Sequence, residues 1–439
     1  MKLRNGIKLA VVAACCAPAF ALATNGYFSH GYGMKAKGMG GAATATAGDT
    51  FGGAVNPAKM VWVGDRFDIG ADLFSPRRSV SRQGETAFGG FYNGSADSDS
   101  NYFIVPEFGY NRMINPNLSL GVTVYGNGGM NTDFNSTLPG PSFSPACGGA
   151  QANMLLGCGR LGVDMMQLIV APTAAYKVTP NHSIGISPLL AYQRFKVDGL
   201  QAFQGISSSP ANVTNQGYDS STGWGVRLGW MGKVSDTVSL GAAYSTKMKM
   251  GNFDKYKGLF AEQGGFDIPE NYNVGIAVQA SPKTLVAFDV QRINYSKIPS
   301  IANGVLNSLS APPACPLGSA CGSGFRWQDQ TVFKLGMEYA YSNALTLRGG
   351  FNYGKSPIGN TADDISFNII APGVIEKHLT LGLTYKTTSG GELTLAYMHG
   401  FSNTVTGPSA ITTFAGGNFG TESLKMYQDS FGIAYDWKM

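Results

Sequence analysis

Cysteines are the residues of this 439-residue chain whose type and spacing first suggest chemistry. Cys147 and Cys158 form one closely spaced pair, and Cys315 and Cys321 form another. Neither pair has the Cys-x-x-Cys spacing of a redox or zinc site. In an oxidising compartment, the two pairs predict two loop disulfides, with four free thiols as the alternative. No metal site is expected.

Hydrolytic catalysis would need a nucleophile beside a histidine, and the chain has four histidines: His30, His182, His378 and His399. His399 has no nucleophile motif around it, and no phosphate-loop, dinucleotide or zinc motif occurs in the sequence. A membrane-embedded hydrolase is the alternative from another functional class. The sequence predicts no catalytic residues, no cofactor and no enzyme activity.

The first 23 residues have the order of a secretory signal peptide, with a basic start, an apolar stretch and a small-residue cleavage site. These features are Lys2, Arg4 and Lys8, then residues 9–14, then Ala21-Leu22-Ala23. A lipoprotein is the alternative, because residues 12–14 place small residues before Cys15. Removal of residues 1–23 takes away three basic and no acidic residues, so the net charge falls from +5 to +2. A chain so close to neutral predicts no nucleic-acid partner.

Composition distinguishes whether an exported chain is a periplasmic, a secreted or a β-barrel protein. Beyond the signal, no apolar run reaches the ~18 residues that a spanning helix needs. Only 13% of the residues are charged, against the usual ~25% of soluble domains, and the 60 glycines are about twice the usual share. This deficit of charge indicates contact with lipid.

From residue 65 onward, apolar residues alternate with polar or small ones, as in strands that have one face toward lipid and the other toward a lumen. This alternation predicts an all-β fold, a transmembrane antiparallel β-barrel of about 14 strands. The apolar faces lie within residues 67–73, 102–110, 118–124, 166–176, 184–192, 224–230, 238–244, 272–278, 286–290, 333–339, 345–353, 379–385, 393–397 and 431–437.

Short turns alternate with long connections rich in Gly, Ser and Pro, an asymmetry typical of periplasmic turns and extracellular loops. The long loops are predicted at residues 82–100, 126–163, 198–222, 251–268, 296–328, 355–373 and 402–424. The second and fifth contain the cysteine pairs. Loop residues Leu155, Leu156, Phe203, Leu259 and Phe260 are candidates for a first apolar surface that captures a solute.

Residues 24–64 do not fit the strand pattern. They are rich in Gly and Ala and have too few large apolar residues to form a core of their own. We expect a hatch that plugs the lumen of the barrel formed by residues 65–439. A disordered N-terminal tail is the alternative.

Specific motifs in this segment and in the strands carry a family resemblance. Residues 31–42 read GYGMKAKGMGGA, and residues 54–58 read AVNPA. Further matches are Val124-Tyr125-Gly126 before Thr132-Asp133-Phe134, and residues 166–176. Over the whole mature chain the sequence resembles the FadL/TodX (OMPP1) family of outer-membrane transporters for long-chain fatty acids and other hydrophobic compounds. The resemblance implies a fourteen-stranded barrel with a hatch in which Asn56, Pro57 and Ala58 form the key motif.

The family's route implies capture among extracellular loops, binding in the lumen, rearrangement of the hatch and release sideways through the barrel wall. By position, the family's kink in the third strand falls at Tyr125 and Gly126, with Gly128 and Gly129 just beyond. Glycines make a break in strand pairing physically easy. The alternative is that these glycines only open the long second loop.

Alternation also predicts which charged residues face the lumen: Asp68, Asp72, Glu107, Arg227, Lys247, Lys334, Glu338, Arg348, Glu392 and Asp436. Mutual salt bridges explain most of them. A fatty acid would need a cation for its carboxylate, so Arg227, Lys247 and Arg348 are the ligand-binding candidates. The family's charged position after the fifth strand is not clearly kept in Lys196-Val197-Asp198-Gly199, which leaves room for uncharged hydrocarbons.

These observations predict a monomer in the outer membrane of a Gram-negative bacterium. Its partners would be a hydrophobic small molecule, outer-membrane lipid and lipopolysaccharide. Long-chain fatty acids are the leading substrate and uncharged aromatic hydrocarbons the alternative. A general diffusion porin and a surface adhesin or phage receptor are further alternatives, and an obstructing hatch would argue against the porin.

Overall fold

The computed structural model describes residues 25–309, 315–388 and 390–439. The predicted signal peptide and its lipoprotein alternative lie outside the described residues.

Fourteen long antiparallel strands, among the described residues, form a closed barrel in which each strand pairs with its neighbours in sequence. The last strand closes on the first from Arg66↔Lys438 to Glu85↔Phe419. The prediction of a fourteen-stranded antiparallel barrel is therefore confirmed. The strands are β1 Arg66–Glu85, β2 Phe103–Asn115, β3 Leu118–Phe134, β4 Leu161–Thr179, β5 His182–Asp198, β6 Asp219–Lys233, β7 Val238–Ser245, β8 Asn271–Ser281, β9 Thr284–Ile293, β10 Gln330–Ala340, β11 Leu345–Gly354, β12 Lys377–Lys386, β13 Glu392–Pro408 and β14 Phe419–Lys438. Short strands Gly94–Asp97 and Lys249–Met250 add to β1 and β6.

Apolar and polar side chains alternate along each strand because the two faces of the barrel wall meet different solvents. In β12, Leu379 and Leu381 are about half exposed on the outer wall, whereas Thr380 and Thr384 are buried toward the lumen. The exposed apolar side chains cover the outer wall, where lipid is their solvent. The alternation read from the sequence is thus the physical signature of a lipid-facing wall.

Six short turns join the strands at one end of the barrel and seven long connections at the other, as predicted. The predicted bounds of four loops are wrong. Strands β1, β3 and β13 run on to Glu85, Phe134 and Pro408, and strands β4, β6 and β14 already begin at Leu161, Asp219 and Phe419. Apolar alternation ends where lipid ends, but backbone pairing continues above the membrane. There the side chains are polar, as at Thr406, whose hydroxyl lies 2.7 Å from that of Ser423.

Single helical turns in the long connections, and in the segment before β1, complete the fold. No helix of the described ranges has the length and apolar character required to cross a membrane. The turns are Met34–Lys37, Phe51–Ala54, Pro57–Trp62, Pro145–Cys147, Gln201–Ile206, Pro210–Asn212, Asp254–Tyr256, Ala261–Gly264, Tyr295–Lys297, Pro299–Ala302, Leu306–Leu309, Ala362–Ile365, Ser366–Ile369 and Ile411–Ala415.

Residues 25–64, here called the hatch, lie inside the barrel and are mostly buried. Their backbone runs so close to the wall that a Cβ on Gly40 would lie 2.7 Å from the carbonyl oxygen of Phe351. Asp289 of β9 accepts hydrogen bonds from the backbone N–H groups of Ala43 and Thr44, at 2.8 and 2.9 Å. The alternative of a disordered tail is wrong, because the barrel supplies the core that this Gly/Ala-rich segment lacks.

Candidate functional site

The barrel wall has a break in pairing between β2 and β3. The ladder between them ends at Glu107↔Tyr125. Beyond that point, residues 103–106 of β2 pair only with β1, and residues 126–134 of β3 pair along the barrel only with β4. We call the space between residues 103–106 and residues 126–131 the window. Pro106, at its edge, has no N–H to offer a ladder.

A β-bulge lies on the β3 side of the window. The register of β3 against β4 shifts by one residue between Gly126↔Leu168 and Gly128↔Gln167, which leaves Asn127 as the extra residue. The Asn127 side chain donates to Gln167 Oε1 at 3.0 Å, and Gln167 in turn donates to Gln193 at 3.2 Å. These hydrogen bonds between side-chain amides stabilise the bulge from the lumen side. The sequence analysis did not predict them.

The glycines predicted to form a kink, Gly126, Gly128 and Gly129, therefore lie inside β3 together with Tyr125. The alternative that they only open the second loop is wrong. A bulge bends its strand and interrupts pairing, which accounts for the local break in the wall.

The start of the hatch fills the window. The Ser29 N–H donates to the Asn127 carbonyl at 3.2 Å, and the Gly129 N–H donates to the Tyr27 carbonyl at 3.3 Å. Phe28 and Gly128 face each other as an antiparallel bridge. Residues 27–29 thus act as a short strand. They form hydrogen bonds with backbone groups of β3 that no neighbouring barrel strand pairs with.

Gly128 makes this close approach possible. A Cβ on Gly128 would lie 1.8 Å from the Tyr27 carbonyl oxygen, a distance that no side chain can occupy. The hatch can reach β3 only because residue 128 has no side chain.

Tyr295, in the connection between β9 and β10, anchors the first residues of the hatch. Its hydroxyl donates to the Asn25 carbonyl at 2.6 Å and accepts from the Tyr27 N–H at 3.3 Å. Burial raises the pKa of Tyr295 well above its ordinary value, so the hydroxyl keeps its proton. The Tyr295 ring also contacts those of Tyr27, Phe28 and Trp327. The anchor is therefore both polar and aromatic.

Hatch lysines neutralise the acids of the lumen wall. Lys37 Nζ lies 2.9 Å from Asp72 and 3.8 Å from Glu107, the last β2 residue paired below the window. Lys35 Nζ lies 2.5 Å from Glu392 and 3.3 Å from Asp436. Most of the predicted lumen charges are buried, but many of their partners come from the hatch and not from the opposite wall. The lysines within GYGMKAKG were the available signal for this.

An ion pair within the hatch joins Lys59 to Asp49 at 3.1 Å. Burial alone would raise the pKa of Asp49, but Lys59 and Lys35 together hold it below its ordinary value. Both residues are buried, so this pair ties one part of the hatch to another.

The Asn-Pro-Ala motif holds the second half of the hatch against the barrel wall. Asn56 is fully buried, donates to the carbonyl oxygens of Thr44 and Trp230 at 2.9 Å each, and accepts from the Ala58 N–H at 3.1 Å. Pro57 begins the turn Pro57–Trp62. A Cβ on Gly229 of β6 would lie 2.1 Å from Asn56 Oδ1. The motif thus joins two parts of the hatch to the barrel wall.

The three predicted ligand-binding cations lie in different environments. Arg227 is buried and donates to the Gly53 carbonyl at 2.9 Å and to the Tyr125 hydroxyl at 3.5 Å, and no carboxylate of the described chain pairs with it. Arg348 is buried but already paired with Glu338, at 2.7 Å.

The prediction that Lys247 faces the lumen is wrong. Its side chain is 45% exposed and pairs with Asp267 at 3.0 Å. The alternation that places it inward was extended past Ser245, where β7 ends. Of the three candidates, Arg227 alone is both buried and without an acidic partner in the described parts of the chain.

The histidines form no recognisable catalytic group. His30 and His378 stack with ring centroids 6.1 Å apart, and burial lowers the pKa of His30 to about 3, so its ring is neutral. His399 lies 2.9 Å from Asp429. Across residues 25–309, 315–388 and 390–439, no cluster of three or more His, Cys, Asp or Glu side chains could hold a metal.

An apolar pocket lies among the long connections. Four of the predicted capture residues, Leu155, Phe203, Leu259 and Phe260, line it, while Leu156 is buried beside it. Two serines are the only polar side chains among its lining residues, and none is charged. The full lining is Leu155, Phe195, Leu200, Phe203, Leu259, Phe260, Ser300, Leu317, Ser323, Gly324, Phe325, Phe367 and Ile370.

Both predicted disulfides are present and each closes a loop that contributes to this pocket. Cys147–Cys158 encloses Leu155, and Cys315–Cys321 encloses Leu317. The alternative of four free thiols is therefore wrong. A disulfide limits the conformations of the loop that it closes.

Replacing all four cysteines by serine should weaken capture without unfolding the barrel. Leu155 and Leu317 would lose their restraint, so we expect the half-saturating substrate concentration for uptake to rise roughly fivefold, about 1 kcal/mol. Reduction of the unmodified protein should have the same effect. An unchanged half-saturating concentration in a folded variant would show that the disulfides do not organise the pocket.

Comparison with known proteins agrees with this architecture. Residues 10–428 match the model of the family described as Outer membrane protein transport protein (OMPP1/FadL/TodX). Among curated proteins, no significant match to the chain is found.

Solved structures of similar fold cover nearly the whole chain. The toluene transporter TodX of Pseudomonas putida is 19% identical, with a TM-score of 0.67 over 95% of this chain and 100% of that one. A FadL homologue of Pseudomonas aeruginosa is 15% identical, with a TM-score of 0.69 over 94% and 99%. The toluene transporter TbuX of Ralstonia pickettii is 18% identical, with a TM-score of 0.62 over 93% and 99%. The match across nearly the whole sequence, on a closed barrel with a buried hatch, means that this chain belongs to the OMPP1/FadL/TodX family of outer-membrane transporters for hydrophobic compounds.

Proposed function

We propose that the chain carries hydrophobic molecules passively across the outer membrane and releases them sideways through the window. The observation that supports this most strongly is the break between β2 and β3, filled only by residues 27–29 of the hatch. Residues 27–29 contact β3 through a few backbone hydrogen bonds and are anchored by Tyr295, with no covalent link to the wall, so this segment can leave its position when the hatch moves. A movement of the hatch would therefore open the wall itself.

Lateral release suits the solute as well as the protein. An apolar molecule gains free energy by avoiding water, and a passage from an apolar loop pocket to the lipid phase keeps it out of water. The loop pocket supplies the first apolar surface, and the window supplies an opening at membrane depth. Capture, passage and release then require no chemical step, so we propose no catalytic residue and no cofactor.

Long-chain fatty acids are the proposed substrate class. Arg227 supports this proposal, because a buried guanidinium without an acidic partner is suited to a carboxylate, and it lies 3.5 Å from the Tyr125 hydroxyl at the edge of the window. Uncharged aromatic hydrocarbons are the second candidate. The lack of charged side chains in the loop pocket favours them.

A general diffusion porin is less well supported, because the hatch occupies the lumen that a hydrophilic solute would need. We propose a monomer whose partners are the substrate, membrane lipid and lipopolysaccharide. The outer wall has exposed apolar side chains on many strands, which suits lipid contact.

The experiment for this proposal has two parts. Lipids that copurify with the protein are extracted and identified by mass spectrometry, and uptake of oleate and of toluene is measured in cells with and without the gene. We expect enrichment of free fatty acid and faster oleate uptake. Enrichment of arenes with faster toluene uptake would favour the second candidate. No change in either uptake would contradict the proposed function.

A further inference from the structure

Arg78 of β1 is a buried cation that the preceding account does not use. Its side chain points into the barrel and is only 5% exposed. Its guanidinium donates to the backbone carbonyls of Asn131 and Ser100 and lies 3.4 Å from the Ser98 hydroxyl. Its Nε is buried and has no hydrogen-bond partner, and no carboxylate of the described residues forms an ion pair with it.

Two other arginines of β1 show the contrast. Arg82, four residues along the same face of β1, has Glu422 at 2.6 Å. Arg66 has Asp68 at 2.6 Å and Asp436 at 2.7 Å. Burying a guanidinium beside neutral oxygens alone is costly, and a free N–H donor adds to that cost. The Arg78 site is therefore short of one negative charge.

The position of Arg78 links it to the window. Asn131 lies on β3 at the upper end of the window, and Ser100 precedes β2 on the opposite side. The guanidinium thus spans the upper edge of the gap. The lower edge is the Glu107↔Tyr125 pair.

A small cavity beside Arg78 is otherwise largely apolar. Phe74, Met130, Trp327 and Met426 line it together with the β3 residues at the window. A carboxylate oxygen can accept a charge-assisted hydrogen bond from the free Nε–H, and a hydrocarbon chain can pack against these apolar side chains. The combination fits an amphiphile with an anionic head, whereas a plain hydrocarbon would leave the Nε without a partner.

We infer that Arg78 binds the carboxylate of an amphipathic substrate at the upper edge of the window and so makes the protein select acids over neutral hydrocarbons. The inference rests on the proposed function and adds to it a residue that distinguishes acids from neutral hydrocarbons.

The test compares oleate with methyl oleate, which has the same chain without the charge. Binding to the purified full-length protein is followed by the fluorescence change of its tryptophans, one of which, Trp327, lines the cavity. We expect the unmodified protein to bind oleate at least roughly tenfold more tightly than the ester. Arg78→Met should weaken oleate binding roughly 10- to 100-fold, the usual effect of losing a charged hydrogen bond, and leave the ester unaffected.

Arg77→Met is the matched control. Arg77 is the next residue of β1, faces outward and donates to the Tyr102 hydroxyl at 2.6 Å. This variant should keep the preference for oleate. Arg78→Lys, which keeps the charge but not the planar pair of donors, should retain part of it.

Two results would overturn the assignment. One is equal affinity of the unmodified protein for oleate and its ester. The other is an Arg78→Met variant that keeps the preference while Arg227→Met loses it. If Arg78→Met does not show the heat-modifiable migration of a folded barrel, two measurements still test the assignment. They are the affinity of the unmodified protein for oleate against methyl oleate, and the preference of the Arg78→Lys variant. Uptake of neither compound would instead contradict the proposed function.

Discussion

Gly128→Val is expected to lower uptake of the hydrophobic substrate roughly tenfold while the barrel still folds. A Cβ at this position would lie 1.8 Å from the Tyr27 carbonyl oxygen, so the start of the hatch cannot remain in the window. Overpacking of this kind costs about 1–3 kcal/mol, enough to shift the hatch out of its place. Displacement of the hatch alone would open the wall, but uptake should still fall because the valine side chain narrows the opening through which the substrate leaves.

Displacement of the hatch in this variant can be measured directly by the accessibility of residue 29. A cysteine introduced at Ser29, which is 3% exposed, should resist a water-soluble thiol reagent in the parent protein and react in the Gly128→Val background. Gly349→Val is the matched control, because a Cβ at that strand glycine would have only one neighbour, at 3.9 Å. Normal uptake together with a protected Ser29→Cys would remove the window from the mechanism.

Lys37→Met is expected to release the hatch and turn the barrel into a leaky pore. Lys37 is the hatch cation between Asp72 and Glu107, and all three side chains are at most 5% exposed. Removing one partner of such a buried group costs about 3–5 kcal/mol, because the remaining charges stay uncompensated. The undocked fraction of the hatch should therefore rise roughly 10²- to 10⁴-fold. Water and ions would then enter the lumen.

Ion conductance in planar bilayers measures this effect. The Lys37→Met variant should show frequent or continuous open channels, whereas the parent should remain mostly closed. Lys283→Met provides the comparison, because Lys283 lies in an exposed turn between β8 and β9. Parent-like conductance in the Lys37→Met variant would mean that this ion pair does not hold the hatch in place.

The barrel could be predicted from sequence because lipid imposes a strict period of two on each strand. Alternation identified all fourteen strands, and the contrast of short turns with long loops distinguished the two ends of the barrel. The alternation pattern failed to identify the strand segments whose side chains do not face lipid. The upper part of β13, out to Pro408, has the polar residues Ser402, Thr404 and Thr406 on its exposed face and therefore resembled a loop. Lys247 was misplaced for the same reason, since alternation carries no information beyond a strand's end.

The site could be predicted only in part, because it depends on which strands fail to pair. Gly126, Gly128 and Gly129 indicated a weak point in β3, but nothing local revealed that residues 27–29 would occupy it. Pairing across so many residues is a property of the closed barrel. Arg78 illustrates the same limit: in sequence it resembles Arg82, and the presence of Glu422 beside one and of no acid beside the other is visible only in three dimensions.

The route of the substrate is the central claim, and photochemical labelling tests it most directly. Protein in outer-membrane vesicles would be loaded with a long-chain fatty acid that carries a photoreactive diazirine near its tail, irradiated, digested and analysed by mass spectrometry. The account predicts labels on both edges of the window, within residues 103–106 and 126–131. Labels confined to the periplasmic end of the lumen, around Trp62 and Arg348, with none at the window, would show an axial route and contradict lateral release.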